Sequence, residues 1–233
     1  MDRITRKELK TDKFALEVEQ AVGFLTAHRR QVTRYGTAAL IVVLALMASG
    51  WYRRHQRAVR QEALTAALQI YNAPVGQTGN PFLPGYPSEE EKNKAALKAF
   101  TELANRHGSS DEGFIARYYL GAMAADRGDL AEAEKHFRPV AESRHANYAA
   151  LAKLALADIY RAQGRLDEGE KLLRSLIEKP TDFVSKEHAT LLLAELIRDS
   201  RPEEARKLLE PLRTARSVIS RHSLSALAEM SAK

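Results

Sequence analysis

One stretch near the N-terminus lacks charge altogether. Residues 35–52 read YGTAALIVVLALMASGWY, and arginines flank them on both sides. At about 1.5 Å per residue, a helix over this stretch is roughly 27 Å long, close to the ~30 Å hydrocarbon core of a bilayer. Tyr35, Trp51 and Tyr52 lie where aromatic rings prefer the headgroup layer. The pattern predicts a single transmembrane helix over residues 35–52.

Two other interpretations of this stretch stay open. Its most apolar part, Ala38 to Ala48, would suit a buried core helix, and the letters MASG are small residues of the kind found at signal-peptide cleavage sites. A signal peptide, however, has a short basic n-region, whereas residues 1–34 are long and carry both signs of charge. We therefore interpret residues 35–52 as an uncleaved anchor.

The N-terminal tail, residues 1–34, is basic and becomes patterned in its second half. Its apolar residues recur at helical spacing, at Phe14, Val18, Val22 and Leu25. This spacing predicts a short amphipathic helix lying near the membrane surface. A helix that simply continues into the anchor explains the spacing equally well.

Two segments separate the anchor from the rest of the chain. Residues 53–73 continue the helical pattern as an extension of the anchor. Residues 74–87 then hold four of the eight prolines and three of the twelve glycines. Because no regular element survives that density of breakers, we predict a loop there.

From residue 88 onward the chain has helical patterns only, and it resembles itself. The three similar stretches are LGAMAADRGDLAEAEKHF, LADIYRAQGRLDEGEKLL and LAELIRDSRPEEARKLL, which begin at Leu120, Leu156 and Leu193. Each begins with Leu and a small residue, passes through a turn and enters a second helix with a small and a large apolar residue four apart. An earlier unit is partial, since Ala96 and Phe100 match a second helix only.

Small residues in both helices of a unit indicate close antiparallel packing. They are Gly121, Ala157 and Ala194 in the first helices, and Ala133, Gly169 and Ala205 in the second. No single pair buries both of its faces, so the pairs are expected to stack. The pattern resembles the tetratricopeptide repeat, whose unit is about 34 residues. We predict an all-α fold: one N-terminal transmembrane helix, a divergent tetratricopeptide-type α-solenoid over residues 88–215, and a C-terminal capping helix over residues 216–233.

Charge narrows the possible partners. The chain carries +6 overall, but residues 1–60 carry +7 and residues 61–233 carry −1. The basicity therefore lies beside the anchor, where anionic headgroups attract Lys and Arg. We expect no nucleic-acid partner, because the repeats lack the excess of positive charge that phosphate binding requires. The chain has no cysteine, which excludes disulfides, thiolate metal sites and lipid attachment through cysteine.

Catalytic motifs are missing from the sequence. It contains no GxSxG or GxxxxGK[ST] run, and none of its seven histidines belongs to an HExxH pattern. The acidic run SEEEK at 88–92 is explained by a capping box of Ser88 and Glu91, and the run DEGEK at 167–171 by an exposed helix face. We therefore expect no enzyme activity, no cofactor, no metal site and no small-molecule substrate.

A solenoid of this type offers a groove lined by its first helices, which can hold a peptide or a partner helix. Transferring the repeat register to this sequence gives eight candidate groove residues. These are Tyr118, Ala122, Leu154, Asp158, Arg161, Leu191, Glu195 and Arg198. The set mixes apolar side chains with charges of both signs, which suits a protein segment. For each residue, an ordinary exposed or locally packed position is the open alternative.

The order of these elements resembles the family of ancillary subunits of the bacterial SecYEG translocon. The likeness is closest from Glu17 to about Tyr71 and includes the anchor ending in GWY. The resemblance implies a single-pass inner-membrane protein with a cytoplasmic N-terminus and periplasmic repeats. It further implies a place beside the translocon and association with a membrane-anchored periplasmic chaperone during protein export. The basic start, Met1 to Lys13, and the loop at 74–87 depart from the family pattern.

Arginines near the anchor bear on its orientation. Three lie on the N-terminal side and four on the C-terminal side, which favours the opposite insertion, but the whole N-terminal tail holds eight Lys and Arg. Positive charge on short tails sets topology, while large domains translocate regardless, so we favour a cytoplasmic N-terminus. The alternative function is a cytoplasm-facing repeat adaptor of another membrane complex, such as cell-division or envelope-assembly machinery.

Overall fold

The computed structural model describes residues 29–76 and 85–214, together with Glu19 and Met230. Most of the predicted N-terminal amphipathic helix, the middle of the loop at 74–87 and most of the capping helix at 216–233 lie outside these residues. The chain divides into two units, Met1–Ala58 and Val59–Lys233, which we describe separately.

Helix α1 runs from Arg29 to Tyr71 and therefore contributes to both units. In the first unit, the large apolar side chains between Tyr35 and Tyr52 are 50–73% exposed. A buried core helix is thus the wrong interpretation of this stretch. Among the described residues, α1 is the one helix long and apolar enough to cross a membrane, whether as a membrane span or as a signal anchor.

The second unit contains the remaining described helices. In chain order they are α2 (Glu89–Arg106), α3 (Asp111–Asp126), α4 (Leu130–Ala141), α5 (Ala146–Ala162), α6 (Leu166–Glu178), α7 (Lys186–Ile197), α8 (Pro202–Leu209) and a 3₁₀ helix (Glu210–Thr214). No strand is assigned within the described ranges. This agrees with the all-α prediction.

Several of these helices begin with an N-cap residue whose side chain accepts a hydrogen bond from a backbone N–H group. The Ser88 hydroxyl accepts a bond from the Glu91 backbone N–H at 3.2 Å, the first half of the predicted capping box. Such caps satisfy backbone N–H groups that have no partner inside the helix. Three further helices begin in the same way, with Ser110, Asp129 and Ser185.

The turns inside the repeat units follow the sequence prediction. Gly128 and Gly164 have φ angles of +77° and +73°, in the left-handed region that glycine enters without steric cost. They close the turns between α3 and α4 and between α5 and α6. The third turn has no glycine, and Pro202 occupies the start of α8, where its missing N–H is not needed.

The helices form four consecutive pairs, which we number 1 to 4. Pair 1 consists of residues 59–71 of α1 with α2, pair 2 of α3 with α4, pair 3 of α5 with α6, and pair 4 of α7 with α8. The sequence pattern identified only α2 in pair 1. The structure supplies its partner, because Ala67 is fully buried and the Tyr71 ring lies 6.1 Å from that of Phe100.

Three apolar clusters run through this unit, and each joins neighbouring pairs. One joins α1, α2 and α3 around Phe100, and the next joins α3, α4 and α5 around Phe137. The third joins α5 to α8 around Leu173 and Leu209, and Met230 packs against it. Because each cluster needs residues from adjacent pairs, the pairs stack as an α-solenoid.

Small residues allow the helices to approach as closely as the sequence predicts. A Cβ atom added at Gly121 would lie 2.8 Å from the Phe137 ring. One added at Gly169 would lie 3.3 Å from the Ala157 carbonyl oxygen. Ala133, Ala194 and Ala205 are fully buried. The predicted all-α repeat architecture is confirmed.

Candidate protein-binding site

Four of the eight predicted groove residues line one depression between pairs 3 and 4. Leu154, Asp158 and Arg161 lie on one stripe of α5, and Glu195 faces them from α7. An Arg161 Nη2 donates to Asp158 Oδ1 at 3.5 Å, a distance at the long limit for a hydrogen bond. Both of these side chains are about 60% exposed, so they are available to a partner.

The depression is a surface rather than a pocket. Its cavity volume is about 10 Å³, near the minimum for a single water molecule. Small-molecule sites typically enclose about 300–1,000 Å³. Leu192 and Leu196 of α7 add apolar lining. The arrangement of charges around an apolar floor fits a protein segment better than a small ligand.

Tyr118 and Ala122 lie on α3 and do not line this depression. The Tyr118 ring belongs to a row of aromatic rings, with its centroid 5.5 Å from Phe137 and 5.4 Å from Tyr148. Burial raises the pKa of the Tyr118 hydroxyl, and burial raises the pKa of Tyr148 to about 12. These tyrosines are therefore neutral at physiological pH and act as apolar surface with a hydrogen-bonding tip.

The aromatic row continues to pair 4 and ends at an exposed ring. Phe183 lies before α7, with its ring 5.8 Å from Tyr148, and is 51% exposed. Sequence reasoning missed both Phe183 and Tyr148 as surface aromatics, although Tyr148 lies on α5 ten residues before Asp158. The groove register gave no signal for Tyr148, because ten residues place it about 80° around the helix from Asp158.

Leu191 and Arg198, the remaining candidates, are placed differently. Leu191 is only 6% exposed and belongs to the core cluster of pairs 3 and 4. Leu154 is also in that cluster, at 9% exposed, and reaches the depression with its edge alone. Arg198 follows the last residue of α7, with its Nε atom 3.8 Å from Asp199 Oδ1. The structure thus brings Asp158, Arg161 and Glu195 together as the exposed part of the candidate site.

Comparison with known proteins is consistent with this architecture. The family model of the tetratricopeptide repeat-like domain matches residues 31–212. The chain belongs to this family. The match covers most of the chain and includes the greater part of α1. No curated protein and no solved structure matches the chain. Tetratricopeptide repeat-like domains are typically scaffolds for protein–protein interaction, and membership of the family indicates this role for the chain.

The tetratricopeptide repeat-like domain also contains an ion-pair network that the sequence reasoning missed. Glu134 of α4 accepts hydrogen bonds from Arg138 Nε at 2.9 Å and from Arg165 Nη1 at 2.9 Å. Arg165, just before α6, also forms a bidentate pair with Glu168, at 2.7 Å for each bond. We call Glu134, Arg138, Arg165 and Glu168 network 1. It joins pair 2 to pair 3.

Network 2 has the same design one repeat later. Glu170 of α6 pairs with Arg174 on its own helix and with Arg201, just before α8. Arg174 and Arg201 both reach Glu204, at 2.7 Å and 3.1 Å. Network 2 joins pair 3 to pair 4. Each of its residues, Glu170, Arg174, Arg201 and Glu204, lies 36 positions after its counterpart in network 1.

The carboxylates of Glu134 and Glu170 are ionised because of these partners. Their side chains are only 13% and 16% exposed. Burial alone would raise the pKa of Glu134, but hydrogen bonds from Arg138 and Arg165 outweigh it and lower the pKa. The hydrogen bond from Arg201 is the main reason that the pKa of Glu170 is lowered. The run DEGEK is therefore not simply an exposed face, as the sequence suggested, because its Glu170 is bound between two pairs.

The repeats also contain an open cleft and a buried ion pair. An open cleft of about 470 Å³ lies between pair 1 and α3, and its lining is mostly charged or polar: Tyr71, Glu89, Lys92, Asn93, Met123, Asp126 and Arg127. Within residues 29–76 and 85–214, no group of three or more His, Asp or Glu side chains could hold a metal ion. Arg60 Nε donates to the buried carboxylate of Glu112 at 3.0 Å, which fixes the start of pair 1 against α3.

Proposed function

We propose that this protein is a membrane-tethered scaffold that binds a segment of a partner protein across α5 and α7. The observation that carries the proposal is the juxtaposition of Asp158, Arg161 and Glu195 around an apolar floor. Charges of both signs beside apolar surface select a partner by complementarity as well as by burial. The aromatic row ending at Phe183 adds residue types that dominate binding energy in interfaces.

We further propose that the partner belongs to the protein-export machinery. The resemblance to ancillary SecYEG subunits supports a place beside the translocon, with a membrane-anchored periplasmic chaperone as a second partner. In this proposal α1 anchors the chain in the inner membrane, the N-terminus is cytoplasmic and the repeats face the periplasm. Tethering raises the effective concentration of the repeats at the membrane, so weak binding of an exported chain suffices.

The second candidate is a cytoplasm-facing adaptor of another membrane complex, such as cell-division or envelope-assembly machinery. It is favoured by one observation: four arginines closely follow the apolar span, against three that closely precede it. Positive charge near a span tends to remain in the cytoplasm.

Protease accessibility in intact spheroplasts separates the two candidates. Digestion of the repeats without detergent is expected if they face the periplasm. Protection until detergent is added would contradict the export proposal and favour the cytoplasmic adaptor.

Site-specific photocrosslinking tests the binding surface and its partner together. A photoreactive residue at Asp158 or Glu195 of the full chain, in native membranes, is expected to capture translocon subunits or the chaperone. The matched control is the same residue at Lys171, which is exposed on α6 outside the depression. Equal capture from Lys171 would refute the assigned face, and adducts that contain neither translocon subunits nor the chaperone would refute the export assignment.

Charge reversal gives a second test of the same face. Arg161→Glu is expected to reduce crosslinking at Asp158 without unfolding the repeats, because the Arg161 side chain lines the depression and is about 60% exposed. Arg198→Glu, at a predicted groove residue that does not line the depression, is expected to have a smaller effect. Unchanged crosslinking would show that the partner binds elsewhere.

A further inference from the structure

The second helices of pairs 2, 3 and 4 are connected by ion pairs that recur with the repeat. In each of networks 1 and 2, a glutamate in the middle of a second helix accepts hydrogen bonds from two arginines. One arginine lies four residues later on the same helix, and the other lies just before the second helix of the next pair. The strict spacing of 36 residues between equivalent members shows that the network is part of the repeat unit. Within it, each glutamate takes charge-assisted bonds from two guanidinium groups, the stronger class of hydrogen bond.

The charge pattern of the two networks does not continue into the second helix of pair 1 or beyond pair 4. Thirty-six positions after Glu170 and Arg174 the sequence has Arg206 and Glu210, so the charges are reversed. Glu210 pairs instead with Arg213, three residues later. The same reversal occurs at Lys98 and Glu102 of α2, thirty-six positions before Glu134 and Arg138. Among the four described pairs, the network is therefore confined to the interfaces between pairs 2 and 3 and between pairs 3 and 4.

These are also the interfaces across which the candidate binding surface is built. The depression has one wall on α5 of pair 3 and the other on α7 of pair 4. The aromatic row crosses from Tyr118 on α3 to Tyr148 on α5, between pairs 2 and 3. A rotation of one pair relative to the next would separate Asp158 from Glu195, or Tyr118 from Tyr148. Neither surface lies within a single pair.

We propose that networks 1 and 2 are positioning devices that fix the relation between neighbouring pairs and so hold the binding surface in shape. Glu134 and Glu170 lie on the second helices, away from the binding surface. By fixing neighbouring pairs, they also fix the relative positions of the first helices that carry this surface. The apolar clusters supply most of the stabilisation of stacking, but apolar contact is non-directional. The charge-assisted hydrogen bonds from Arg165 to Glu134 and from Arg201 to Glu170 cross between pairs and are directional, which adds the geometric specificity that apolar contact lacks. The proposed effect on partner binding rests on the proposed function, whereas the effect on pair geometry does not.

The test uses the full chain with pairs of spin labels, which is convenient because the sequence contains no cysteine. Labels at Asp126→Cys and Asp158→Cys report on the interface of pairs 2 and 3. Labels at Asp158→Cys and Glu195→Cys report on the interface of pairs 3 and 4. All three positions are exposed. Dipolar EPR of each labelled protein measures the width of the distance distribution across one interface.

The substitutions are isosteric, so that they remove charge without creating a cavity. Glu134→Gln is expected to remove the narrow distance component across pairs 2 and 3 and leave pairs 3 and 4 unchanged. Glu170→Gln is expected to remove the narrow distance component across pairs 3 and 4 and leave pairs 2 and 3 unchanged. The matched control is Glu132→Gln, which removes an ion pair to Lys135 and alters the contact with His136, both within α4 alone, and should leave both interfaces narrow. Circular dichroism at the same temperature shows that each variant is folded.

Two outcomes would overturn the proposal. If both distance distributions stay narrow in Glu134→Gln and Glu170→Gln, apolar packing alone fixes the pairs. If either substitution broadens both interfaces, its effect is general destabilisation rather than local positioning. A final measurement links geometry to binding: Glu170→Gln should lower photocrosslinking from Asp158. Failure of the parent protein to crosslink any partner would refute the proposed function, while the EPR result would still decide the positioning role.

Discussion

The anchor and the repeats use similar apolar side chains for opposite purposes. In the anchor, the large apolar residues from Tyr35 to Tyr52 are at least half exposed. In the repeats, Phe137, Leu173 and Leu209 are at most 2% exposed. The number of apolar residues in a helix therefore does not decide whether those residues are buried. Their distribution around the helix does: the anchor is apolar on every side, while α4, α6 and α8 are apolar on one side and charged on the other.

The largest expected difference comes from removing a core ring. Phe137→Ala should lower the free energy of unfolding of the repeats by about 4 kcal/mol, because it removes a large buried side chain and leaves a cavity. Chemical unfolding of the full chain, followed by circular dichroism, measures this change. Phe183→Ala, at a 51% exposed aromatic, is the matched control and should have a much smaller effect. Equal losses for the two would contradict the assigned core.

A charge in the anchor should have the complementary effect. Val43→Asp places a carboxylate near the centre of the apolar span, at a cost of about 3 kcal/mol for insertion into a bilayer. We expect a lower membrane-bound fraction after carbonate extraction, with thermal unfolding of the repeats unchanged. Val43→Leu should behave like the parent. An undiminished membrane fraction for Val43→Asp would argue against a membrane span.

The same substitution, glycine to alanine, should have opposite signs in the two regions. Gly121→Ala forces a methyl group to 2.8 Å from the Phe137 ring and should destabilise the repeats by about 2 kcal/mol. Gly50→Ala meets nothing within 4 Å and should strengthen the helix by up to about 1 kcal/mol, the propensity difference between the residues. Thermal unfolding and helix content measure both. A neutral Gly121→Ala would mean that α3 and α4 do not approach closely there.

The smallest expected effect is a loss of thermal stability at acidic pH, and it concerns the repeats alone. The pKa values of Glu134 and Glu170 are lowered in the folded state. Their contribution to stability is therefore complete above the unfolded glutamate pKa of about 4.3 and is lost as the pH falls through the lower folded values. The parent Tm should fall below that pH more steeply than the Tm of the Glu134→Gln/Glu170→Gln variant. Glu132→Gln should follow the parent, and parallel curves for all three proteins would contradict the ionised state of the networks.

Part of the fold could be predicted because its signals are local. Glycine at residues 128 and 164 ends a helix through backbone conformation, and the left-handed φ angles confirm those turns. Small residues at Gly121 and Gly169 mark close approach, which the structure also shows. The groove was harder to predict. Repeat register placed Asp158, Arg161 and Glu195 on one surface, but Leu191, one turn before Glu195, lies in the core. Residues one turn apart share a face of the helix, so this difference in exposure comes from the neighbouring helices that cover Leu191.

The sequence by itself determined that this protein has an apolar N-terminal segment long enough to span a membrane and a stack of helix pairs, because hydrophobic periodicity and turn residues act within a few positions of the chain. Only the tertiary structure decided that residues 59–71 complete pair 1 and that Glu134 and Glu170 meet Arg165 and Arg201. These contacts join residues about thirty positions apart. From the sequence alone, a charged side chain on a helix is expected to be solvated, because the neighbouring helix that contacts it is not known. The physical reason is that stacking creates both the partner and the partial burial, which together turn an ordinary surface glutamate into a link between repeats.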